Sequence, residues 1–267
     1  MKFSGYKLRI EKLQNEVSRL ESVNARLRED FDRKMDVVNS ALHEVRRFSA
    51  QLSRFSGRLN KDAENSREEC VRQAAQSVFY TSGMISARLA YMDIELNPSA
   101  LENQTTVRAG IYKKFDKAKR ILIEESRAKD VNIVLSGESH VEIEVLPIFE
   151  LLPFVLLENG IKYSPVGQSV DVGFEFVLGR QFVTISSKGP DVDEGELQKL
   201  CDRRFRGSNV SSMPGEGLGL FLAKRICDYH DIEMRLEVPR RNLYQLQGVN
   251  YCEFKVVLKF PKTTLRK

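Results

Sequence analysis

The sequence predicts an N-terminal all-α coiled coil and helical hairpin, assembled as a dimeric four-helix bundle, followed by a C-terminal α+β sandwich. Three observations carry this expectation. An unbroken heptad seam runs from Ile10 to Leu59. A second apolar stripe follows and stops at Asn97-Pro98. After Pro98, long helical periodicity gives way to short alternating segments and glycine-rich turns.

With position a at Ile10, the a series is Ile10, Val17, Asn24, Phe31, Val38, Val45, Leu52 and Leu59. The d series is Leu13, Leu20, Leu27, Lys34, Ala41, Phe48 and Phe55. Only Asn24 and Lys34 are polar. A single Asn at an a position favours a parallel dimer in one register, because it can pair with its own copy. Gly57 marks the approach of the helix end, and residues 60–66 read as the turn. The second stripe, Val71, Ala75, Val78, Ser82, Ile85, Leu89, Met92 and Leu96, repeats at helical spacing until Pro98 ends it. Two such hairpins side by side form a four-helix bundle. The expected division is a coiled-coil extension over 1–40, a dimerisation hairpin over 41–100, and a compact domain over 105–262.

In the compact domain, residues 107–129 read as a helix with Ile111, Phe115, Ala118 and Leu122 on one face. Residues 131–135 and 140–145 alternate like strands, and 146–162 is apolar enough for a buried helix. Residues 170–177 and 181–186 read as a hairpin turning at Leu178-Gly179-Arg180. A helix over 217–230 and strands over 232–238 and 249–259 complete a mixed sheet backed by helices.

Composition narrows the function. Of 267 residues, 42 are basic and 37 acidic, but residues 1–60 hold 13 basic and 8 acidic side chains, so the remainder is neutral. The excess charge lies on the coil rather than on a globular basic face, which argues against a nucleic-acid partner. No apolar run reaches the length of a membrane span; the best, 145–157, is broken by Glu150 and Pro153. The first twenty residues lack the apolar core of a signal peptide. Cys70, Cys201, Cys227 and Cys252 are scattered, as expected of reduced thiols in a cytoplasmic protein. The three histidines are not at metal-ligand spacing.

The sharpest motif is Gly215-Glu216-Gly217-Leu218-Gly219-Leu220, leading into an apolar-periodic helix. Glycines let backbone N–H groups approach an anion, and a helix N-terminus adds partial positive charge. Three further boxes precede it in order: residues 156–165, LLENGIKYSP; residues 186–190, SSKGP; and Phe205-Arg206-Gly207. In these boxes the sequence resembles the ATP-binding domain of sensor histidine kinases, in the superfamily shared with gyrase, mismatch-repair ATPases and a heat-shock chaperone. The resemblance covers residues 107–262.

The resemblance implies ATP and Mg²⁺ as cofactors. Asn159 would bind the Mg²⁺ that bridges the phosphates, Lys162 would reach the phosphates, and Tyr163 would line the nucleotide. Ser187 and Gly189 would lie at the adenine. Residues 203–214 would form a lid anchored by Phe205, and Gly215, Gly217, Leu218 and Gly219 would sit at the phosphates. Three positions depart from the family pattern. Ser187 replaces an Asp that accepts the adenine amine, Asp191 replaces a Gly, and Val155 replaces a polar residue four positions before Asn159.

His43-Glu44-Val45-Arg46 resembles the histidine box of these kinases. In the heptad register His43 falls at f, the outermost position, and Glu44 could take a proton from one imidazole nitrogen while the other attacks phosphorus. The family's Thr or Asn four residues later is Arg47, and the Pro after it is Phe48. His140 and His230 read as structural. Arg46, Arg47, Arg54, Arg58 and Lys61 form a basic stretch suited to an acidic receiver domain. The expectation is a homodimeric, cytoplasmic protein histidine kinase. It would phosphorylate its own His43 from ATP and pass the phosphate to a response-regulator receiver, its signal arriving through the N-terminal coil or through a bound partner such as an upstream sensor protein. The alternative is a catalytically weak dimeric scaffold, or a histidine phosphotransferase, with a degenerate ATP domain.

Overall fold

The computed structural model describes residues 2–64, 68–96, 104–210, 213, 215–239, 244–246 and 248–262. Helix α1 (Lys2–Glu64) is 63 residues long, roughly 95 Å at the usual helical rise. Its seam divides into two regimes. Leu13, Leu20, Leu27 and Phe31 are about 60% exposed, whereas the d residues Ala41, Phe48 and Phe55 are buried against α2 (Glu68–Leu96). Gly57 lies within α1, which continues through residues 60–64 of the expected turn; residues 65 and 66, the rest of that turn, lie outside the described residues.

Helix α2 packs differently from the expectation. Its buried face is Ala74, Thr81, Met84, Ala87, Arg88, Tyr91 and Ile94. The expected stripe is open or half-open instead, with Ala75, Ser82 and Leu89 exposed. The reason is that α2 is wedged between α1 and the compact domain, so the face turned toward both is covered. The predicted stripe points elsewhere.

The expected helix over 107–129 is three elements: strand β1 (Val107–Gly110), helix α3 (Ile111–Ile121) and helix α4 (Ile123–Ala128). Its apolar face is correct, since Ile111, Phe115, Ala118 and Leu122 are all buried. The helix starts late because Val107–Gly110 is extended and pairs antiparallel with β3 (Glu142–Val145). His140 precedes β3 rather than lying in it. Strand β2 (Asn132–Ser136) comes between these elements in sequence. A 3₁₀ turn at Pro147–Glu150 then leads into α5 (Leu151–Tyr163), where every residue from Leu151 to Leu157 is buried. Such a helix, apolar all round, must be enclosed.

Strands β4 (Ser169–Val177) and β5 (Arg180–Pro190) form the expected hairpin. Leu178 and Gly179 both take left-handed backbone (φ 50° and 77°), the geometry that matches a two-residue turn to strand twist. The short helix α6 (Glu194–Leu197) and two 3₁₀ turns, Gln198–Cys201 and Ser208–Val210, lead to α7 (Gly219–Tyr229). Strands β6 (Glu233–Glu237), β7 (Tyr244–Leu246) and β8 (Val249–Lys262) finish the chain. The sheet order is β2-β4-β5-β8-β6, with β7 hydrogen-bonded to β8. Among the described residues only the β2–β4 pair is parallel. The C-terminal region is thus an α+β sandwich, with α5 packed on α3, α7 and β5.

One buried cluster runs from the hairpin into the sandwich: Phe48, Met84, Tyr91 and Ile94 join Phe149 and Phe154. Phe48 meets Phe154 edge to face, ring centres 5.4 Å apart. His230 is structural, as expected. Its Nε2 accepts from the Leu146 N–H (3.0 Å), so Nδ1 donates to the Ile226 carbonyl (2.7 Å). Burial holds its pKa below the usual 6.5. Cys227 and Cys252 are buried thiols and Cys201 is half-buried; the Cys70 side chain lies outside the described residues.

Candidate functional site

A cavity of about 530 Å³ opens between the C-terminal half of α5, the end of β5, the segment around Phe205 and the start of α7. Asn159, Lys162, Tyr163, Ser187, Gly189, Phe205, Gly215, Gly217, Leu218 and Gly219 all line it. Residues up to 60 positions apart converge because α5 lies on β5 and the last turn of α5 meets the glycine run. Lys129 Nζ secures that turn by donating to the Ile161 carbonyl (2.8 Å) and the Lys162 carbonyl. A cation at a helix C-terminus satisfies orphan carbonyls and complements the dipole. Val155, Ile185, Leu222, Phe254 and Val256 give the cavity apolar walls suited to a flat ring.

Two glycines are required by contact. A Cβ on Gly219 would come within 2.7 Å of Asn159 Nδ2 and 2.9 Å of Oδ1. Gly217 has φ 69°, and a Cβ there would lie 2.6 Å from the Phe205 carbonyl oxygen. The obstacle at 217 is therefore the facing backbone, not bound phosphate as the motif alone suggests. The same approach lets the Arg204 N–H donate to the Gly217 carbonyl (3.1 Å), tying the start of the expected lid to the glycine run. Arg206 Nη2 donates to the carbonyls of Val210 and Met213. Asn209 Nδ2 donates to the Asp191 carbonyl (2.8 Å). Ser211, Ser212 and Pro214 of that segment lie outside the described residues.

Asp191 also lines the cavity. Its Oδ1 accepts from the Val192 N–H (3.0 Å) and from Cys252 Sγ (3.6 Å). Ser187 sits in β5 between Val170 of β4 and Phe254 of β8.

The cavity continues onto the helical hairpin, where Ser40, Glu44 and Arg47 of α1 and Arg88 of α2 line it. His43 belongs to α1 between Ser40 and Glu44, and its side chain lies outside the described residues. Glu44 accepts from Arg47 Nη2 (2.9 Å). Arg47 also pairs with Glu158, beside Asn159, and its guanidinium carbon lies 5.3 Å from the ring centres of Phe48 and Phe154. The basic stretch expected to be free for a partner is thus partly engaged within the chain: Arg47 by Glu44 and Glu158, and Arg58 by Glu124. Arg204 pairs with Asp36 (2.6 Å), and Gln51 Nε2 donates to Glu125 (3.2 Å).

Sequence reasoning did not find Ser40 or Arg88. The signal for Arg88 was a charge set between Ala87 and Leu89 in an otherwise apolar stretch of α2.

Residues 152–263 match the family described as histidine kinase-, DNA gyrase B-, and HSP90-like ATPase. That segment is similar to the ATPase domains of this family. The matched segment holds all ten of the expected nucleotide residues, from Asn159 to Gly219. The chain is similar to the sensor histidine kinase YkoH of Bacillus subtilis, 24% identical over 220 residues, covering 79% of this chain and 46% of that protein. It is also similar to the adaptive-response sensory kinase SasA of a Synechococcus strain, 25% identical over 231 residues, covering 82% of this chain and 59% of that protein. The chain therefore spans about half the length of these curated relatives. Among solved structures, a mycobacterial sensor histidine kinase MprB superposes with a TM-score of 0.47 at 21% identity, over 59% of this chain and 99% of that one. The family match and the two curated relatives agree with the resemblance to sensor histidine kinases carried by the four boxes. Among the described residues no helix is long and apolar enough to cross a membrane.

Proposed function

We propose that the chain is the dimeric kinase core of a two-component system, in which ATP phosphorylates His43. One observation carries the reading: the cavity lined by the nucleotide residues of the ATPase domain is also lined by Ser40, Glu44 and Arg47, which flank His43 on α1. Residues 1–40 would act as a coiled-coil extension, 41–100 as the dimerisation and phosphotransfer hairpin, and 105–262 as the ATP domain.

In the step itself, one imidazole nitrogen of His43 attacks the γ-phosphorus. The bond from phosphorus to the β,γ-bridging oxygen breaks, ADP leaves, and the proton on the other imidazole nitrogen passes to Glu44. Lys162 would neutralise phosphate charge, and the backbone N–H groups of the glycine run would bind phosphate oxygens. The residues fit Mg²⁺ as a companion of the triphosphate rather than as a resident ion. Asn159 offers one carboxamide oxygen, Val155 offers none, Glu158 is engaged by Arg47, and no cluster of three or more ligating side chains exists among the described residues. Mg²⁺ usually takes few protein ligands and completes its shell with phosphate and water. When bound it would supply charge neutralisation on the phosphates. A receiver-domain aspartate would then take the phosphate from His43.

The test is incubation with γ-labelled ATP and Mg²⁺. The label should be lost in acid, persist in alkali and be absent from His43→Gln. A parent that binds ATP and never labels would favour the scaffold reading.

A second copy would cover the open seam of α1. Leu20 and Leu27 are 59% and 64% exposed at d positions, and burying such a stripe is what holds two-stranded coils together. Leu20→Lys with Leu27→Lys should shift the protein from dimer toward monomer in light scattering. An unchanged mass would contradict the assigned seam.

A further inference from the structure

Arg88 is 6% exposed, on the face of α2 turned toward α1 and the ATPase domain. Its Nη2 donates to Ser40 Oγ (2.7 Å), and its guanidinium carbon lies 5.5 Å from the centre of the Tyr91 ring. Its Nε is buried and has no hydrogen-bond partner. Among the described residues no Asp or Glu lies within ion-pair distance of it. Burial pulls its pKa below the usual guanidinium range; the acidic groups that act on it from further away are Glu44 and Glu216, opposed by Arg47. A guanidinium remains charged under such conditions. A buried charge without a counter-ion is a costly arrangement, and proteins seldom keep one unless an anion arrives to pair with it.

The place of Arg88 says which anion. It lines the nucleotide cavity, and it shares a small cleft with Ser40, Leu218 and Leu222. It therefore stands between the glycine run at the start of α7 and the stretch of α1 that holds His43. Resting on the kinase reading above, we propose that Arg88 is a catalytic residue that binds the terminal phosphate of a nucleoside triphosphate. Its planar fork would hold oxygens of the transferring phosphoryl group as charge redistributes during transfer, a role for which arginine is better shaped than lysine. The contact would be made by a triphosphate and not by a diphosphate, so the pocket would distinguish substrate from product through a residue of α2 rather than of the ATPase domain. It would also join the hairpin to the sandwich only while the γ-phosphate is present.

The experiment compares the full-length parent with Arg88→Gln, which can still donate to Ser40 but carries no charge, and with Arg88→Met. Calorimetry with Mg²⁺ measures a non-hydrolysable ATP analogue and ADP, and thermal melting is followed with and without each nucleotide. Arg88→Gln should lose about tenfold or more in affinity for the triphosphate, as charge-assisted contacts do when one partner is removed. Its ADP affinity should stay unchanged. Without nucleotide, both variants should melt at or above the parent, because an unpaired buried charge has been removed. Equal losses for both nucleotides would mean a structural role, and no loss for either would place Arg88 away from the phosphate. Variants that melt far below the parent would show that the charge is compensated without ligand, and would also overturn the proposal. The kinase reading fails separately: a parent that prefers triphosphate through Arg88 and never labels His43 keeps this inference and loses that one. A parent that binds neither nucleotide overturns both.

Discussion

Gly219→Ala is expected to leave the chain folded and to weaken nucleotide binding by about tenfold or more, since a phosphate-bridging cation gains most of its protein contact from one carboxamide. Gly219 is not among the residues with positive φ, so Ala fits its helical backbone and improves the propensity of α7. The atoms nearest the new Cβ are those at the tip of Asn159, at 2.7 Å and 2.9 Å. That tip can rotate away, so the fold survives while the carboxamide leaves its place at the phosphates. Gly217→Ala makes the contrast. Its Cβ meets fixed backbone at Phe205 and its φ of 69° disfavours any side chain, so it should lower stability by about 1–3 kcal/mol. Calorimetry with Mg-ATP and thermal melting separate the two. A Gly219→Ala protein that binds ATP as well as the parent would mean that Asn159 does not contact the nucleotide's phosphates.

Mixing His43→Gln with Asn159→Ala is expected to restore no labelling, because each chain would phosphorylate its own histidine. The cavity of one chain is lined by Ser40, Glu44 and Arg47 of that same chain. Contacts within the chain hold this face shut: Arg47 with Glu158, Phe48 against Phe154, and Arg204 with Asp36. Mixed dimers pair an intact cavity on one chain with an intact His43 on the other. Labelling that recovers on mixing would require transfer between chains and a different docking of the ATPase domain on the bundle.

The parts of the fold carried by local chemistry were legible in the sequence. The second helix was legible as far as Leu96, the last residue of α2 described before Asn97-Pro98. Leu178-Gly179 announced the hairpin through its turn geometry. The order of the four boxes brought the site residues together before any packing was considered. What was missed depends on partners distant in sequence. The face of α2 was misassigned because a stripe read against one neighbour cannot register a second, here the sandwich behind it. Strand β1 was absorbed into a helix because the buried face of Ile111, Phe115 and Ala118 was extended backward, while Val107 is held extended by Val145. Strand β7 is three residues long and carries no pattern of its own. Arg47 belongs in sequence to a basic stretch suited to an outside partner, yet its partner Glu158 lies on α5, 111 residues away. Arg88 could not be interpreted until α2 was seen at the mouth of the cavity.

The most direct measurement is the position of the phosphate. The parent is incubated with γ-labelled ATP and Mg²⁺, digested at alkaline pH where phosphohistidine persists, and the labelled peptide is sequenced by mass spectrometry. Phosphate on the peptide containing His43, lost on brief acid treatment, is the expected result. Phosphate on the peptides of His140 or His230, or an acid-stable label on a hydroxyl side chain, would contradict the account.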